Sequence, residues 1–350
     1  MFHTPYSARL VLFGLICASL LPLRLCADDA DAPALAPDLP ALQAAAAVLR
    51  ASSCLDPTAE RLAAMDVLQQ SVDQSKWNAD FAAHRDGFGA LSLADQQVAL
   101  AKQPVYWFYE DAMDKLLREI PAEQVAPDSI ALWHLYNMGY VLKTPRSCIG
   151  IDLSHRRAEE LAPLLDALLI THSHGDHVHQ PLTRAMLKVG KPVLSNFVRE
   201  SPYFMPEPQS WQLGDLLIRT SLSDHNRRLR NFVVVYEIQC GSDDDAPLLC
   251  HSGDASNIGQ LTCSRWPDIH IIHPKVGIVT TDAAQKLQTR LTLISHLAEM
   301  GHNHNKWRWS YTLGLTIADQ CAALGRRAAV PVWGEKIIFN KDLRAALDQD

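Results

Sequence analysis

Three imidazoles and a carboxylate stand in the run His172-Ser173-His174-Gly175-Asp176-His177, directly after the apolar stretch Leu168-Leu169-Ile170. Imidazole nitrogens and carboxylate oxygens at this density are metal donors, and a buried strand before them is what holds such donors in place. His172 and His174 alternate along an extended segment and so point the same way. Gly175 lets the chain turn sharply and carries Asp176 and His177 to a neighbouring position. One short loop can thus serve two adjacent metal ions. The other reading, a solvated histidine-rich loop, would require neither the apolar strand nor this order of residues.

A site of four or more donors needs groups beyond one loop, and three further apolar runs end in suitable residues. The run from Leu216 to Asp224 delivers His225, the one histidine between His179 and His251. An exposed turn histidine is its alternative role. Leu248-Leu249-Cys250-His251 ends in Ser252-Gly253-Asp254, and one aspartate can offer an oxygen to each of two ions. His251 competes with Asp254, but three residues before the turn it is better placed for packing or for a hydrogen bond behind the site. Leu291-Thr292-Leu293-Ile294 leads to His296.

The first run resembles the His-x-His-x-Asp-His signature of the metallo-β-lactamase superfamily, a resemblance that extends over roughly residues 130–340. It implies an α/β fold, a four-layer αββα sandwich with metals in a cleft at one edge of two sheets. The runs from Trp133 to Leu142 and from Ser147 to Asp152 are similar to the family's opening pair of strands, the second ending in an acid. Both are also strand-like by composition, with Lys143-Thr144-Pro145-Arg146 as the turn between them. The resemblance places His172, His174 and His225 on a first ion, Asp176, His177 and His296 on a second, and Asp254 between the two. In one branch the last histidine sits in a terminal Pro-x-His-Gly turn. Here that stretch reads Pro331-Val332-Trp333-Gly334, and an indole cannot ligate a metal, so His296 is expected to serve.

The implied activity is that of a binuclear metal-dependent hydrolase, in which metal-bound hydroxide attacks a carbonyl carbon or phosphorus and Asp176 orients it and carries a proton. Zinc is the default for an imidazole-rich site, and the carboxylates also admit manganese or iron. Asp254 resembles the bridging acid of the phosphodiesterase and lactonase branches, so a small, anionic phosphodiester or lactone is the expected substrate. The alternatives are a β-lactam hydrolase, a non-catalytic metal-binding or sensory module of the same fold, and an oxygen-consuming diiron enzyme. Glu299 and His302 are expected behind His296 or facing substrate, since a metal-bound imidazole needs a partner for its other nitrogen. His304 and His179 are read as surface groups. Arg227 and Arg228, with Arg230, follow His225 and are candidates for holding a substrate anion; a charged hairpin turn is the alternative.

The elements that position these groups follow an N-terminus of different character. Arg9, the apolar run Leu10 to Leu23 and Leu25-Cys26-Ala27 before Asp28-Asp29 predict a secretory signal peptide over residues 1–27, hence a periplasmic or secreted protein. A membrane anchor fits less well, because Pro22 and Arg24 interrupt a run already short for a span. A lipoprotein signal at Cys26 would place Arg24 and Leu25 where small residues are usual. Cleavage would delete Arg9 and Arg24 and no acid, taking the formal charge from −7 to −9. That balance disfavours bulk nucleic-acid binding and favours a small-molecule substrate, with no stable membrane span in the mature chain.

Residues 28–125 are read as a helical extension or cap, with helices over Ala41 to Arg50, Pro57 to Asp73 and Trp107 to Ile120, ahead of a catalytic domain over 126–350. The extension would form a lid or dimerisation element, or bury a small core of its own. Outside the signal segment stand Cys54, Cys148, Cys240, Cys250, Cys263 and Cys321. Cys240 and Cys250 flank a turn and could meet across a hairpin, although spacing alone assigns no pair. No Cys-x-x-Cys arrangement is present, which argues against structural zinc.

Overall fold

Local signals start the helices that precede the sheets. The computed structural model describes residues 37–75, 78–302 and 306–349, so the signal segment and His304 lie outside the described residues. Asp38 accepts the Ala41 N–H ahead of α1 (Leu39–Ala51), and Thr58 accepts the Arg61 N–H ahead of α2 (Ala59–Gln74). Then come α3 (Asn78–Gly87), α4 (Leu93–Lys102), capped by Ser92, and α5 (Pro104–Ala122), with proline at its tolerated first position. Leu42, Ala45, Ala46 and Leu49 recur at helical spacing on α1 and are buried.

The first sheet is built from β1 (Ile130–Tyr136), β2 (Gly139–Lys143), β3 (Cys148–Ile151), β4 (Ala167–Leu169), α6 (Gln180–Lys188) on its outside and β5 (Val193–Leu194). The second takes β6 (Ser210–Leu213), β7 (Leu216–Ser223), β8 (Val233–Cys240), β9 (Leu248–His251), β10 (Ile269–Ile272), α7 (Thr280–Leu287) outside it, β11 (Leu291–Ile294), α8 (Tyr311–Ala322) and β12 (Arg327–Ala329). The chain then returns through β13 (Lys336–Phe339) to the first sheet and ends in α9 (Lys341–Leu347). The orders are β13-β1-β2-β3-β4-β5 and β12-β11-β10-β9-β8-β7-β6.

Alternation within single strands separates the layers. Leu132, Leu142, Ile151 and Leu169 meet Ile218, Tyr236, Leu249, Ile271 and Leu293 between the sheets. Their neighbours Trp133, Val141 and Leu168 face outward onto Leu42, Leu68, Phe108 and Leu116 of the helices. On the far side Val235, Cys250 and Ile272 pack on Ala283 and Leu287 of α7. Burying each such large side chain contributes about 1.5–3 kcal/mol, so both faces of both sheets must be covered. The result is a four-layer αββα sandwich.

Two expectations change. The run Trp133 to Leu142 is not one strand but the hairpin β1–β2, because Asn137 takes a left-handed φ of 55° and reverses the chain. Cys240 and Cys250 do not pair: Cys250 stands opposite Glu237, and the two thiols lie on opposite faces of the sheet, Cys240 between the sheets and Cys250 under α7. Those six cysteines are free thiols.

The helical region is fastened to the sandwich by buried charge. Glu335 accepts from Arg61 at 2.6 Å, from the Cys54 N–H at 2.7 Å and from the Val332 N–H at 2.9 Å. Arg308 donates to the carbonyls of Val72 and Ser75 at the end of α2 and to those of Glu299, Met300 and His302. One guanidinium thereby joins that helix to the loop after His296. Among the described residues no helix is long and apolar enough to cross a membrane.

Candidate metal centre

Every candidate donor leaves a strand at the same edge of the sandwich. The loop 171–177 follows β4, His225 follows β7, Asp254 follows β9 and His296 follows β11. These are the carboxyl ends of strands, where an open α/β sheet leaves a crevice. There His172, His174, His225 and Asp254 form one group of potential donors, and Asp176, His177 and His296 form another, the donor atoms of each lying within 4.8 Å of one another. All seven expected residues are brought together.

Asp254 stands between the groups. Its Oδ2 lies 3.4 Å from His225 Nε2 and 3.8 Å from His172 Nε2, while Oδ1 lies 3.3 Å from His177 Nε2. Asp176 Oδ2 is 3.0 Å from His296 Nε2 and 3.5 Å from His177 Nε2. Gly253, at φ 49°, makes the turn before Asp254 possible, and a Cβ there would come within 2.7 Å of the Thr171 side chain.

Hydrogen bonds behind the histidines fix which nitrogen faces the cleft. His177 Nδ1 lies 2.8 Å from Asp152 Oδ2, an acceptor, so Nδ1 carries the proton and Nε2 presents a lone pair. Thr171 Oγ1 donates to Asp152 at 2.7 Å and is therefore free to accept from His172 Nδ1 at 3.0 Å, which leaves the lone pair on Nε2, 3.1 Å from His174 Nδ1. His225 Nδ1 lies 3.2 Å from the Asn226 amide nitrogen, on a side chain whose Oδ1 accepts the Arg228 and Leu229 N–H groups.

The electrostatics call for a cation. Burial would raise the Asp254 carboxyl, but the imidazoles of His177, His273 and His296 hold it well below the ordinary range. Burial would lower His177, yet Asp254, Asp176 and Asp152 push it well above its ordinary value. Burial keeps His172 well below its own, with the neighbouring His177 adding to that effect. His177 Nε2 and Asp254 Oδ1 are buried and face each other without a hydrogen-bond partner. Orphaned donor atoms among carboxylates and imidazoles fit divalent ions of the imidazole-and-carboxylate class.

Among the remaining expected residues, Glu299 is buried and accepts from Tyr136 Oη at 2.9 Å and from the Gly301 and His302 N–H groups, so it shapes the loop behind His296. His302 lines the cleft with its Nδ1 2.8 Å from Glu299. Arg227 and Arg228 are exposed, and it is Asn226 and Leu229 from that loop that line the cleft. The cleft, about 490 Å³, is also walled by Lys275, Val276, Trp307 and Trp309. A cavity of similar volume lined by Trp266, Arg290 and Arg326 lies near the opposite, amino end of β11 and holds no such donor cluster. His251 is buried and bonds to the Met138 carbonyl, and His179 to Glu159. Trp333 is buried against Tyr136 and Phe108, away from the donors.

Sequence reading missed His273, which joins Asp254 and His296 in a third donor group, and Asn137, whose amide donates to the Asp176 carbonyl at 2.9 Å. The position of His273 after an apolar strand was a usable signal. Asn137 offered none beyond its turn propensity.

No protein-family model and no curated protein matches the sequence. Several solved structures are similar to it. A metallo-hydrolase from the archaeon Ignicoccus hospitalis matches over 61% of this chain and 99% of its own, at 15% identity and a TM-score of 0.48. A Thermotoga maritima protein described as a zinc-dependent hydrolase of the metallo-β-lactamase superfamily matches over 57% of this chain and 97% of its own, at 12% identity and a TM-score of 0.36. A diiron β-hydroxylase from Streptomyces venezuelae matches over 61% of this chain and 55% of its own, at 11% identity and a TM-score of 0.45.

Proposed function

We propose that the chain is an exported, binuclear metal-dependent hydrolase of the metallo-β-lactamase superfamily, acting on a small anionic ester, a phosphodiester or a lactone. The observation that carries this reading is Asp254, whose two oxygens face separate histidine groups at 3.4 Å and 3.3 Å. His172, His174 and His225 would hold one ion and Asp176, His177 and His296 the other, with Asp254 shared. Bound divalent ions supply a nucleophile from water near neutral pH and polarise the bond under attack.

The chain's own groups do the rest. Asp152 and Thr171 orient the imidazoles of His177 and His172 from behind. Asp176 lines the cleft, where it can accept and pass on the proton released during attack. Lys275 is the lysine or arginine among the described cleft residues and suits an anionic substituent. Trp307 and Trp309 offer an apolar wall for the remainder of a small molecule. Export rests on the basic, apolar and small-residue pattern of residues 1–27.

Metal analysis of the purified protein, followed by a panel of a chromogenic phosphodiester, a chromogenic lactone and a chromogenic cephalosporin, tests the reading. About two ions per chain with turnover of the first or second substrate is expected. Fewer than about one ion per chain after reconstitution with zinc, manganese or iron would overturn it.

A further inference from the structure

His273 enters the cleft from the carboxyl end of β10, buried to 5% exposure, with a ring nitrogen within 4.8 Å of donor atoms of Asp254 and His296. Its ring centroid is 4.2 Å from that of His296. Proximity alone would make it one more metal ligand, but its hydrogen bonding does not. The Lys275 backbone N–H donates to His273 Nδ1 at 2.9 Å. A neutral imidazole has one lone-pair nitrogen and one N–H. With the lone pair of Nδ1 engaged, the proton sits on Nε2, and neither nitrogen is left to bind a cation.

The same turn occurs at two other histidines of this chain, and both show where the proton goes. Gly253 N–H donates to His251 Nδ1 at 3.3 Å, and His251 Nε2 then donates to the Met138 carbonyl at 3.0 Å. Arg157 N–H donates to His155 Nδ1 at 3.1 Å, and His155 Nε2 donates to the Tyr109 carbonyl at 3.1 Å. A carbonyl only accepts, so Nε2 is the donor in each case. His172 and His177 are held the opposite way, by acceptors on Nδ1. Moreover, the Lys275 N–H is a backbone group of the turn after β10, fixed by the chain itself.

We infer that His273 is a catalytic hydrogen-bond donor of the site and not a ligand: its Nε2–H meets the acyl or phosphoryl oxygen on which negative charge develops. With Nδ1 turned back onto its own loop, Nε2 is the nitrogen left to face the cleft that His273 and Lys275 line. A fixed donor beside the reacting centre needs no reorganisation as charge grows. The inference rests on the proposed hydrolase for its catalytic consequence, whereas the proton position belongs to the protein with or without metal.

Histidine-nitrogen NMR on ¹⁵N-histidine protein, metal-free and loaded with ¹¹³Cd, reads the assignment directly. His273 is expected to carry its proton on Nε2 in both forms and to show no cadmium coupling, while His172 and His177 couple through Nε2. Cadmium coupling to His273, or a proton on its Nδ1, would overturn the inference. If no histidine couples to cadmium, the binuclear reading fails while the metal-free spectrum still decides the tautomer. On the chromogenic substrate that the panel identifies, His273→Ala is expected to keep the full metal content and lower kcat about a hundredfold. His273→Gln, which retains an N–H donor, should recover part of that loss. A His273→Ala protein that loses an ion, or that keeps full turnover, sinks the assignment.

Discussion

Asp152 and His177 meet in the interior, carboxylate Oδ2 2.8 Å from imidazole Nδ1, with both side chains fully buried. The pair joins the end of β3 to the loop after β4 and leaves His177 Nε2 bare toward Asp254. Asp152 has a left-handed φ of 48°, which asparagine also tolerates. Asp152→Asn should therefore fold while weakening the ion at Asp176, His177 and His296 by about ten- to a hundredfold. Chelator competition measures this, and unchanged affinity at that site would exclude the orienting role.

His296 and Glu335 separate metal binding from folding. His296→Ala is expected to lose the second ion and keep the one at His172, His174 and His225, with little change in thermal unfolding. Glu335→Ala should do the reverse, since it strands the buried Arg61 now 2.6 Å away; breaking such a pair costs about 3–5 kcal/mol. Metal content and melting temperature read together would refute the division if the two variants behaved alike.

At Gly253 a methyl group meets both a positive φ and the Thr171 side chain. Gly253→Ala should destabilise the protein by about 1–3 kcal/mol and displace Asp254, reducing metal content. Denaturant unfolding with metal analysis checks both effects, and a fully loaded, equally stable variant would contradict the packing argument.

Acid sensitivity should reside partly in Glu110. Burial would raise its carboxyl, but hydrogen bonds from His84 and Arg156 bring it from 4.5 down to about 2. A depressed carboxylate contributes stability that is complete above its ordinary value and lost as pH falls toward about 2, here on the order of 3 kcal/mol. Melting temperatures of the wild type and Glu110→Gln should thus converge between about pH 5 and about pH 2. A difference independent of pH would show that the charge is not the source.

Export predicts that protein recovered from its native cell begins near Asp28. N-terminal sequencing that finds an intact Met1 in the cytoplasm would contradict it.

Much of the site was legible in the chain because strands advertise their ends. Apolar runs closing on His172, His225, Asp254 and His296 mark buried backbone that emerges with a donor, and period-two alternation puts the donors on one side. The sandwich itself was implied by the resemblance of the His172–His177 run, and in the fold Leu132 and Trp133 find cover on opposite faces. What the chain alone did not decide were relations between distant segments. The reversal at Asn137 depends on a backbone angle that pairing with β2 stabilises, and a continuous apolar run hides it. The separation of Cys240 from Cys250 follows from which face each thiol occupies, fixed by strand register and not by spacing. The Arg227 and Arg228 side chains stand outside the cleft because Asn226 and Leu229 take its wall. His273 acquires its character from the Lys275 N–H beneath it. Each of these is set by tertiary packing, because proton position, facing and register depend on partners that the local sequence does not contain.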